Sequence, residues 1–400
     1  MNVLIVSFYY PPEMGAAPSR ISNMAEGLLA EGSNVDVLTC LPNYPKGRIF
    51  DGYRHRFSKR ETLNGINVFR YWTYATVSKN AVARLLGMLV FAIDIWVFGL
   101  KFRRIRCYDH VIIQSPPLPI ACSAILLFRC LYHKSTVLNV SDLWPTSAVE
   151  LGAVKEGSAN YKVLKWMENF VYKKARAYQG QSQEIVDHIE QFGYHKPHFL
   201  YRNLQPVDNG ELPDSADTIT DRKPLRLVYA GLLGVAQDIL GLVKTVNFKA
   251  LGVELHIYGG GNQAEDIEEY VKNHDCGVTC HGYKTKEEIN QMLGSYHASI
   301  VPLAVTIKGA VPSKIFDLLP HGTPIIFCGG GEGEAIVRDY RLGLVSPPGD
   351  YKNLTENICL LKNMSDDDYW QLRSNCLRAA KGEFSFYEQM KHYYQFLKTL

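Results

Sequence analysis

Short apolar runs alternate along the whole chain with stretches in which apolar residues recur every three or four positions. Asn2–Phe8 is an unbroken apolar run and predicts a buried strand, and Ser19–Ala30 then sets Ile21, Met24, Ala25, Leu28 and Leu29 on one helical face before stopping at Gly32. Val35–Cys40, Val111–Gln114, Ser135–Val140 and Ala177–Gly180 read as further strands. Between them Pro119–Tyr132 reads as a buried helix and Lys162–Arg176 as an amphipathic one. The same alternation resumes with strands Leu225–Tyr229, Val253–Tyr258, Val278–His281 and Ala298–Pro302, separated by a helix from Leu240 and by helices Ala264–Asn273 and Lys286–Tyr296. Near the end, a helix opened by Pro312 and Ser313 and closed by Gly322 leads into a buried strand, and Tyr387–Leu400 is amphipathic and rich in aromatics. Strand–helix alternation of this kind predicts an α/β fold of parallel, doubly wound sheets with helices on both faces.

The pattern lapses once. Asn203–Pro224 carries Asp208, Asn209, Gly210, Pro213, Asp214, Asp217 and Asp221 in a polar run and predicts a linker. Domains are expected over 1–203 and 204–383, with 384–400 as a terminal helix, and no short repeat is present. Ligands of doubly wound sheets bind where loops leave the carboxyl ends of the strands, so the expected site is a cleft between the two domains.

Composition changes this picture in three places. Residues 1–200 hold 23 Lys and Arg against 15 Asp and Glu, while the remainder holds 20 against 25, so the first half is expected to face something anionic. The nine cysteines show neither CxxC pairs nor metal-like spacing with His, and the opening apolar run is broken by Pro11 and Pro12; together these predict reduced thiols, no secretory signal, no metal centre and a cytoplasmic setting. The longest apolar run, Leu85–Leu100, contains Asp94 and is short for a bilayer span; with Arg84 before it and Lys101, Arg103, Arg104 and Arg106 after it, it reads either as an in-plane helix on an anionic membrane or as a buried helix with a solvated basic end. The basic residues Arg54, His55, Arg56, Lys59 and Arg60 would add to the membrane reading. No nucleic-acid module is present, and nucleic acid is not expected as a partner.

The chemistry concentrates in the loops that follow strands. Ser313 and Lys314 put a hydroxyl and an ammonium in a first helical turn beside free N–H groups, a seat for phosphate, and Asp317 one turn on is placed to accept from sugar hydroxyls. Gly231 and Gly259 belong to glycine-rich strand exits suited to wrap a nucleotide, Tyr283 follows another exit and could seat a base, and Glu334 is placed to reach a sugar ring. In the first half, Gly15 within Tyr9–Arg20 lets a substrate approach the backbone, Arg20 is placed to meet a phosphate, and Asp142 ends a strand where such a domain presents active-site groups. Each of these also has an ordinary structural reading, as a turn former or a helix cap.

Five stretches together resemble glycosyltransferase family 4, the retaining sugar-nucleotide transferases of GT-B fold, in the branch that builds bacterial O-antigen and capsular polysaccharides: FYYPPEMGAAPSR (8–20), PNYPKGRIFDGY (42–53), SDLWPTSAVELG (141–152), YAGLLGVAQD (229–238) and VPSKIFDLLPHGTPII (311–326). The resemblance implies two Rossmann-like domains facing across a cleft, the first for the acceptor and the second for the nucleotide-sugar, with the terminal helix crossing back to the first. It implies no cofactor beyond the nucleotide-sugar donor; with it, the donor is expected to be UDP-linked and the acceptor a lipid-pyrophosphate-linked glycan, with the enzyme peripheral on the inner face of the cell membrane. Lys314 would neutralise the leaving diphosphate and Asp142 would position a sugar near the anomeric carbon. Three positions depart from the family's pattern: Gly309 stands where the first of two glutamates is common and Asp317 at the second, Leu232 where an Arg is common, and Asp142 where a His is common. Two other readings stay open: a catalytically silent scaffold in a polysaccharide assembly complex, which the missing Glu and Arg make thinkable, and a sugar-nucleotide epimerase or hydrolase, which would not need a membrane-facing helix.

Overall fold

The computed structural model describes residues 1–76, 81–101, 103–150, 152–207, 212 and 222–400, with the backbone alone at 81, 103 and 104. Most of the predicted linker, including Asp208, Asn209, Gly210, Pro213, Asp214, Asp217 and Asp221, lies outside the described residues, as do the side chains of Arg103 and Arg104. The chain divides into two compact units, Met1–Asn203 with Tyr387–Leu400, and Leu204–Phe386.

The first unit is built on strands β1 (Asn2–Val6), β2 (Asn34–Cys40), β3 (Ser58–Leu63), β4 (Ile66–Tyr71), β5 (His110–Ser115), β6 (Ser135–Val140), β7 (Ala177–Gly180) and β8 (His198–Leu200), in the spatial order β3-β4-β2-β1-β5-β6-β7-β8. All neighbours run parallel except β3 and β4. Val3, Leu4, Ile5 and Val6 are fully buried, as expected of a central parallel strand covered on both faces. The antiparallel β3–β4 hairpin is absent from the reading of the apolar pattern, because Ser58–Leu63 is an edge strand with no buried residue. It turns at Asn64-Gly65, whose φ angles of 49° and 80° match the hairpin turn that follows strand twist.

Helix Ala81–Lys101 is longer than the apolar run that announces it. At 21 residues it is long and apolar enough, by length and composition, to cross a membrane. Its inner stripe of Phe91, Ile95 and Phe98 nevertheless packs into the core of the first sheet. The region Pro119–Tyr132 forms a helix that changes from α (Leu118–Ala124) to π (Ile125–Leu131). The terminal helix Phe386–Lys398 belongs with the first unit from Tyr387 onward. There Gln389 bonds both the N–H and the carbonyl of Arg202 (2.8 and 3.0 Å), and Met390 fills the space beside Gly27, where a β-carbon would come within 2.7 Å of its side chain.

The second unit holds β9 (Leu225–Ala230), β10 (Val253–Tyr258), β11 (Val278–Cys280), β12 (Ala298–Pro302), β13 (Ile325–Cys328) and β14 (Gly343–Ser346), ordered β11-β10-β9-β12-β13-β14 and parallel throughout. In both sheets the strand order reverses at one place, between β1 and β5 in the first and between β9 and β12 in the second. Loops leaving those strands diverge to opposite faces and open a crevice, which makes these the places to look for a ligand.

Candidate functional site

In the second unit the exits of β9, β10 and β11 are stitched together through main chain. Gly231 N–H donates to the Tyr258 carbonyl (2.9 Å), Leu233 N–H to Gly260 (3.0 Å) and Gly259 N–H to Gly282 (2.9 Å). The approach is so close that a β-carbon on Gly259, whose φ is +151°, would lie 1.8 Å from the Gly231 carbonyl oxygen. Lys314 arrives from the other side of the strand reversal, on the short helix Lys314–Leu318 that follows β12. Its side chain lies against Gly231, where a β-carbon would stand 2.3 Å from Cε, and its ammonium sits 5.3 Å from the centre of the Tyr229 ring. Glycine at 231 is therefore what lets the lysine reach the reversal point.

Lys314 is half-buried, and desolvation of its ammonium lowers its pKa against the opposing pull of Asp317. Burial likewise raises the Asp317 carboxyl, opposed by Lys286, Lys314 and a hydrogen bond from Gln205. Asp317 Oδ1 is buried without a hydrogen-bond partner, which leaves an acceptor ready for a donor that a ligand would bring. The helix is shorter than the sequence predicts: the α turn ends at Leu318 and continues as a 3₁₀ turn over Leu319–His321, stopped by Gly322 at φ +57°. Ser313 occupies its N-cap position in helical conformation and its hydroxyl makes no capping bond. A helix of five residues adds little dipole, so the positive charge here is carried by the Lys314 ammonium.

The remaining second-unit candidates stand around this centre. Tyr283 follows Gly282 and is largely exposed, with its ring available for stacking. Glu334 lies in helix Glu332–Asp339 and is ion-paired with Arg338 at 2.6 Å. That helix approaches the Lys314 helix through Gly333, where a β-carbon would stand 3.3 Å from Pro312 and 3.4 Å from Ile315. Tyr258 and His281 stack at 4.4 Å behind the β10 exit, and His281 meets His256 through ring nitrogens 2.9 Å apart.

In the first unit the exits are held by charged side chains instead. Gly15, with φ +135°, caps helix Ala16–Ala30 beside the Tyr44 ring. Glu13 is nearly inaccessible, and its carboxylate accepts from the N–H groups of Tyr10 (3.2 Å), Asn43 (2.8 Å) and Tyr44 (2.8 Å). It thereby ties the loop after β1 to the loop after β2. Arg70 supports the same corner, bonding the Pro11 carbonyl and pairing with Glu61 at 2.5 Å. Arg20 is buried with Nε and Nη1 each 2.7 Å from the Gln181 amide oxygen, once that amide is oriented to accept, and burial brings its pKa down to about 10. Asp142 follows β6; burial raises its pKa, countered by hydrogen bonds from Ser147, Leu143 and Trp144 and by the charge of Arg20. Arg20 thus couples electrostatically to Asp142 at the strand exits, while Gly15, at the start of the same helix, is exposed.

The family model described as "Glycosyl transferase 4-like domain" matches residues 15–201, and that described as "Glycosyl transferases group 1" matches 225–363. The chain belongs to the family 4-like glycosyltransferases. This glycosyltransferase is 29% identical over 157 residues to a protein of Escherichia coli K12 described as a putative colanic acid biosynthesis glycosyl transferase, WcaI; the match spans 39% of this chain and 38% of that relative's length. Among solved structures it resembles a sucrose-phosphate synthase from Thermosynechococcus elongatus (16% identity, TM-score 0.74, covering 100% of this chain and 99% of that one). It also resembles Anabaena HepE in complex with UDP (12% identity, TM-score 0.70, covering 100% of both chains). Likeness at such identities shows the fold, which is GT-B.

Within this glycosyltransferase the structure brings Gly231, Gly259, Lys314 and Asp317 together at the second reversal point, with Ser313 adjoining. The exposed Leu232, at the position where the resemblance leads one to expect an Arg, adds no charge there. Glu13, Arg70 and Gln181 carry no role in the sequence reading. The available sign for Glu13 is a lone carboxylate between two prolines and a glycine in an otherwise apolar loop.

Proposed function

We propose that this glycosyltransferase moves a hexosyl or N-acetylhexosaminyl residue, with retention of configuration, from a UDP-linked donor to a lipid-pyrophosphate-linked glycan in the assembly of a cell-surface polysaccharide of O-antigen or capsule type. The observation that carries this reading is the desolvated Lys314 ammonium pressed against Gly231 at the strand reversal, with the unpartnered Asp317 oxygen one helical turn away. A desolvated cation is costly, Asp317 offsets only part of that cost, and an arriving diphosphate supplies further counter-charge. Lys314, the Ser313 hydroxyl and nearby N–H groups would stabilise the charge that grows on the leaving diphosphate, the largest electrostatic change in the reaction. Asp317 would accept from ribose hydroxyls, Tyr283 would cover the base, Gly231 and Gly259 would admit the phosphates to the backbone, and Glu334 would reach the donor sugar. On the first unit, Gly15 would give the reacting groups room and Asp142 would position a sugar beside the anomeric carbon. Binding of UDP and UDP-glucose by Anabaena HepE and the description of the Escherichia coli relative support the donor and the pathway class. No cofactor is needed in this scheme.

The acceptor's lipid would hold the enzyme at the cytoplasmic face of the membrane. Helix Ala81–Lys101 supports this: Val82, Leu85, Leu86, Leu89, Ile93 and Leu100 fall on one stripe of the helix, opposite the buried one, and all are exposed. A second reading, the silent scaffold, is favoured by Leu232 and Gly309 at positions where the resemblance leads one to expect an Arg and a Glu. Incubating the protein with radiolabelled UDP-sugars and membranes of its source decides between them. Label in the lipid extract, lost in Lys314→Ala, is the expected result; donor binding without transfer to any acceptor would favour the scaffold.

A further inference from the structure

Beside the β3–β4 hairpin of the first unit lies an open cavity of about 470 Å³, lined by Ile49, Tyr53, Arg54, His55, Arg56, Phe57 and Trp72. The site proposed for catalysis uses none of these residues. Their arrangement is that of a cationic rim on an aromatic floor. Arg54 is fixed by Asp51 at 2.8 Å and by the Ile49 carbonyl at 3.3 Å. Among the described residues no carboxylate pairs with His55 or Arg56. His55 holds φ +58°, a left-handed conformation uncommon outside glycine, and so turns the loop outward between the two arginines. Phe57, the next residue but one, is 88% exposed, and Trp72 is 40% exposed.

The Trp72 wall of the cavity leads on to helix Ala81–Lys101. Trp72 N–H donates to the Phe57 carbonyl (2.8 Å), joining the two walls. Residues 73 and 74 pack on that helix: Thr73 donates to the Gly87 carbonyl (2.8 Å), and the Tyr74 carbonyl lies so near Gly87 that a β-carbon there would stand 2.6 Å away. Gly87 is buried, so these contacts fall away from the stripe of exposed Leu85, Leu86 and Leu89.

We propose that this cavity binds the phosphate of an anionic bilayer phospholipid, with Arg54, His55 and Arg56 around the phosphate, Trp72 and Tyr53 at the headgroup level, and the exposed Phe57 entering the acyl region. This rests on the reading of the enzyme as a membrane-surface protein and adds a defined headgroup site to it. Aromatic rings at the interface and arginines on phosphate are the physical signature of such contacts. An acidic glycan is the other anion with a face that stacks on tryptophan. The lining holds no Asp, Glu, Asn or Gln to pair with sugar hydroxyls, and a phenylalanine as exposed as Phe57 suits hydrocarbon better than sugar.

The test compares sedimentation with vesicles of phosphatidylcholine alone and of phosphatidylcholine doped with phosphatidylglycerol. The proteins are wild type, Arg54→Gln/Arg56→Gln, and Lys173→Gln/Lys174→Gln, which removes equal charge from the end of helix Ala159–Lys174. Titration with soluble dihexanoylphosphatidylglycerol and with an oligogalacturonate, read by Trp72 fluorescence against a Trp72→Phe blank, completes it. The proposal expects phosphatidylglycerol-dependent binding that falls about tenfold in the arginine variant and much less in the lysine variant, with the short-chain lipid perturbing Trp72. Equal losses in both variants would overturn the site and leave the membrane reading intact. A response of Trp72 to the oligogalacturonate alone would overturn it in favour of a glycan site. Wild type that sediments with neither vesicle would overturn the membrane reading and this site with it. Unchanged nucleotide binding and melting in the arginine variant exclude misfolding as the cause.

Discussion

Around Gly231 and Gly259 the strand exits meet backbone to backbone, whereas around Glu13 and Arg20 the corresponding exits are joined through buried charged side chains. Both sets of loops sit at the reversal of a parallel sheet, so the fold presents each unit with the same task. The second unit solves it by deleting side chains: a carbonyl occupies the place of a β-carbon at 259, and the lysine stem occupies that place at 231. The first unit solves it by addition: one carboxylate gathers three N–H groups, and one guanidinium links Gln181 with the neighbourhood of Asp142. The physical difference is in tolerance. A glycine contact fails abruptly, because a methyl group either fits or does not. A hydrogen-bonded network loses strength bond by bond and can be partly restored by an isostere.

The comparison breaks most sharply at Gly259. Gly259→Ala must push the β9 and β10 exits apart; overpacking of this kind costs about 3 kcal/mol, and UDP affinity measured by calorimetry should fall on the order of 100-fold. Affinity within a factor of about two of wild type would mean that the backbone stitch does not hold the nucleotide seat. In the first unit, Glu13→Ala leaves three buried N–H groups without their acceptor and should lower stability by roughly 2–3 kcal/mol, while Glu13→Gln, which keeps one acceptor oxygen, should lose about 1 kcal/mol less. Both should bind UDP like wild type, and chemical denaturation with calorimetry reads the two effects separately. Identical losses in the Ala and Gln variants would show that the charge, and not the bonds, ties these loops.

The smallest expected effect concerns protons. Burial lowers the Lys314 pKa in the free protein, and a bound diphosphate would raise it again. Between those two values binding takes up protons, so UDP affinity should fall as pH rises through that window. Calorimetry in buffers of different ionisation enthalpy measures the uptake directly. A proton count that stays unchanged in Lys314→Met would remove the lysine from the phosphate site.

Much of the layout is legible in the chain because buried parallel strands write themselves as apolar runs: Asn2–Phe8, Val253–Tyr258 and Ala298–Pro302 each locate a strand to within about two residues. Ser58–Leu63 escapes that signal, being exposed on an edge, and the readable sign was the Asn64-Gly65 turn rather than any alternation. Of the site, the glycines and Lys314 could be nominated one by one, since strand exits fall next to apolar runs. That Lys314 lies against Gly231, some eighty residues earlier in the chain, depends on the pairing of β9 with β12, which periodicity does not encode. Glu13 was hidden for the opposite reason: a carboxylate in a loop reads as solvated until the loop after β2 closes over it.

The claim that most needs a direct test is that the second unit is a uridine-diphosphate seat centred on Lys314. Calorimetric titration of wild type and Lys314→Ala with UDP and with GDP makes that test. The account predicts UDP binding that is tighter than GDP binding and weakens about 10- to 100-fold in the variant, the loss expected for hydrogen bonds to a charged group. It also predicts a melting temperature in the variant close to that of wild type, since the desolvation of the Lys314 ammonium and its attraction to Asp317 oppose each other. Equal affinity of wild type and variant, or binding of neither nucleotide by a folded protein, would contradict it.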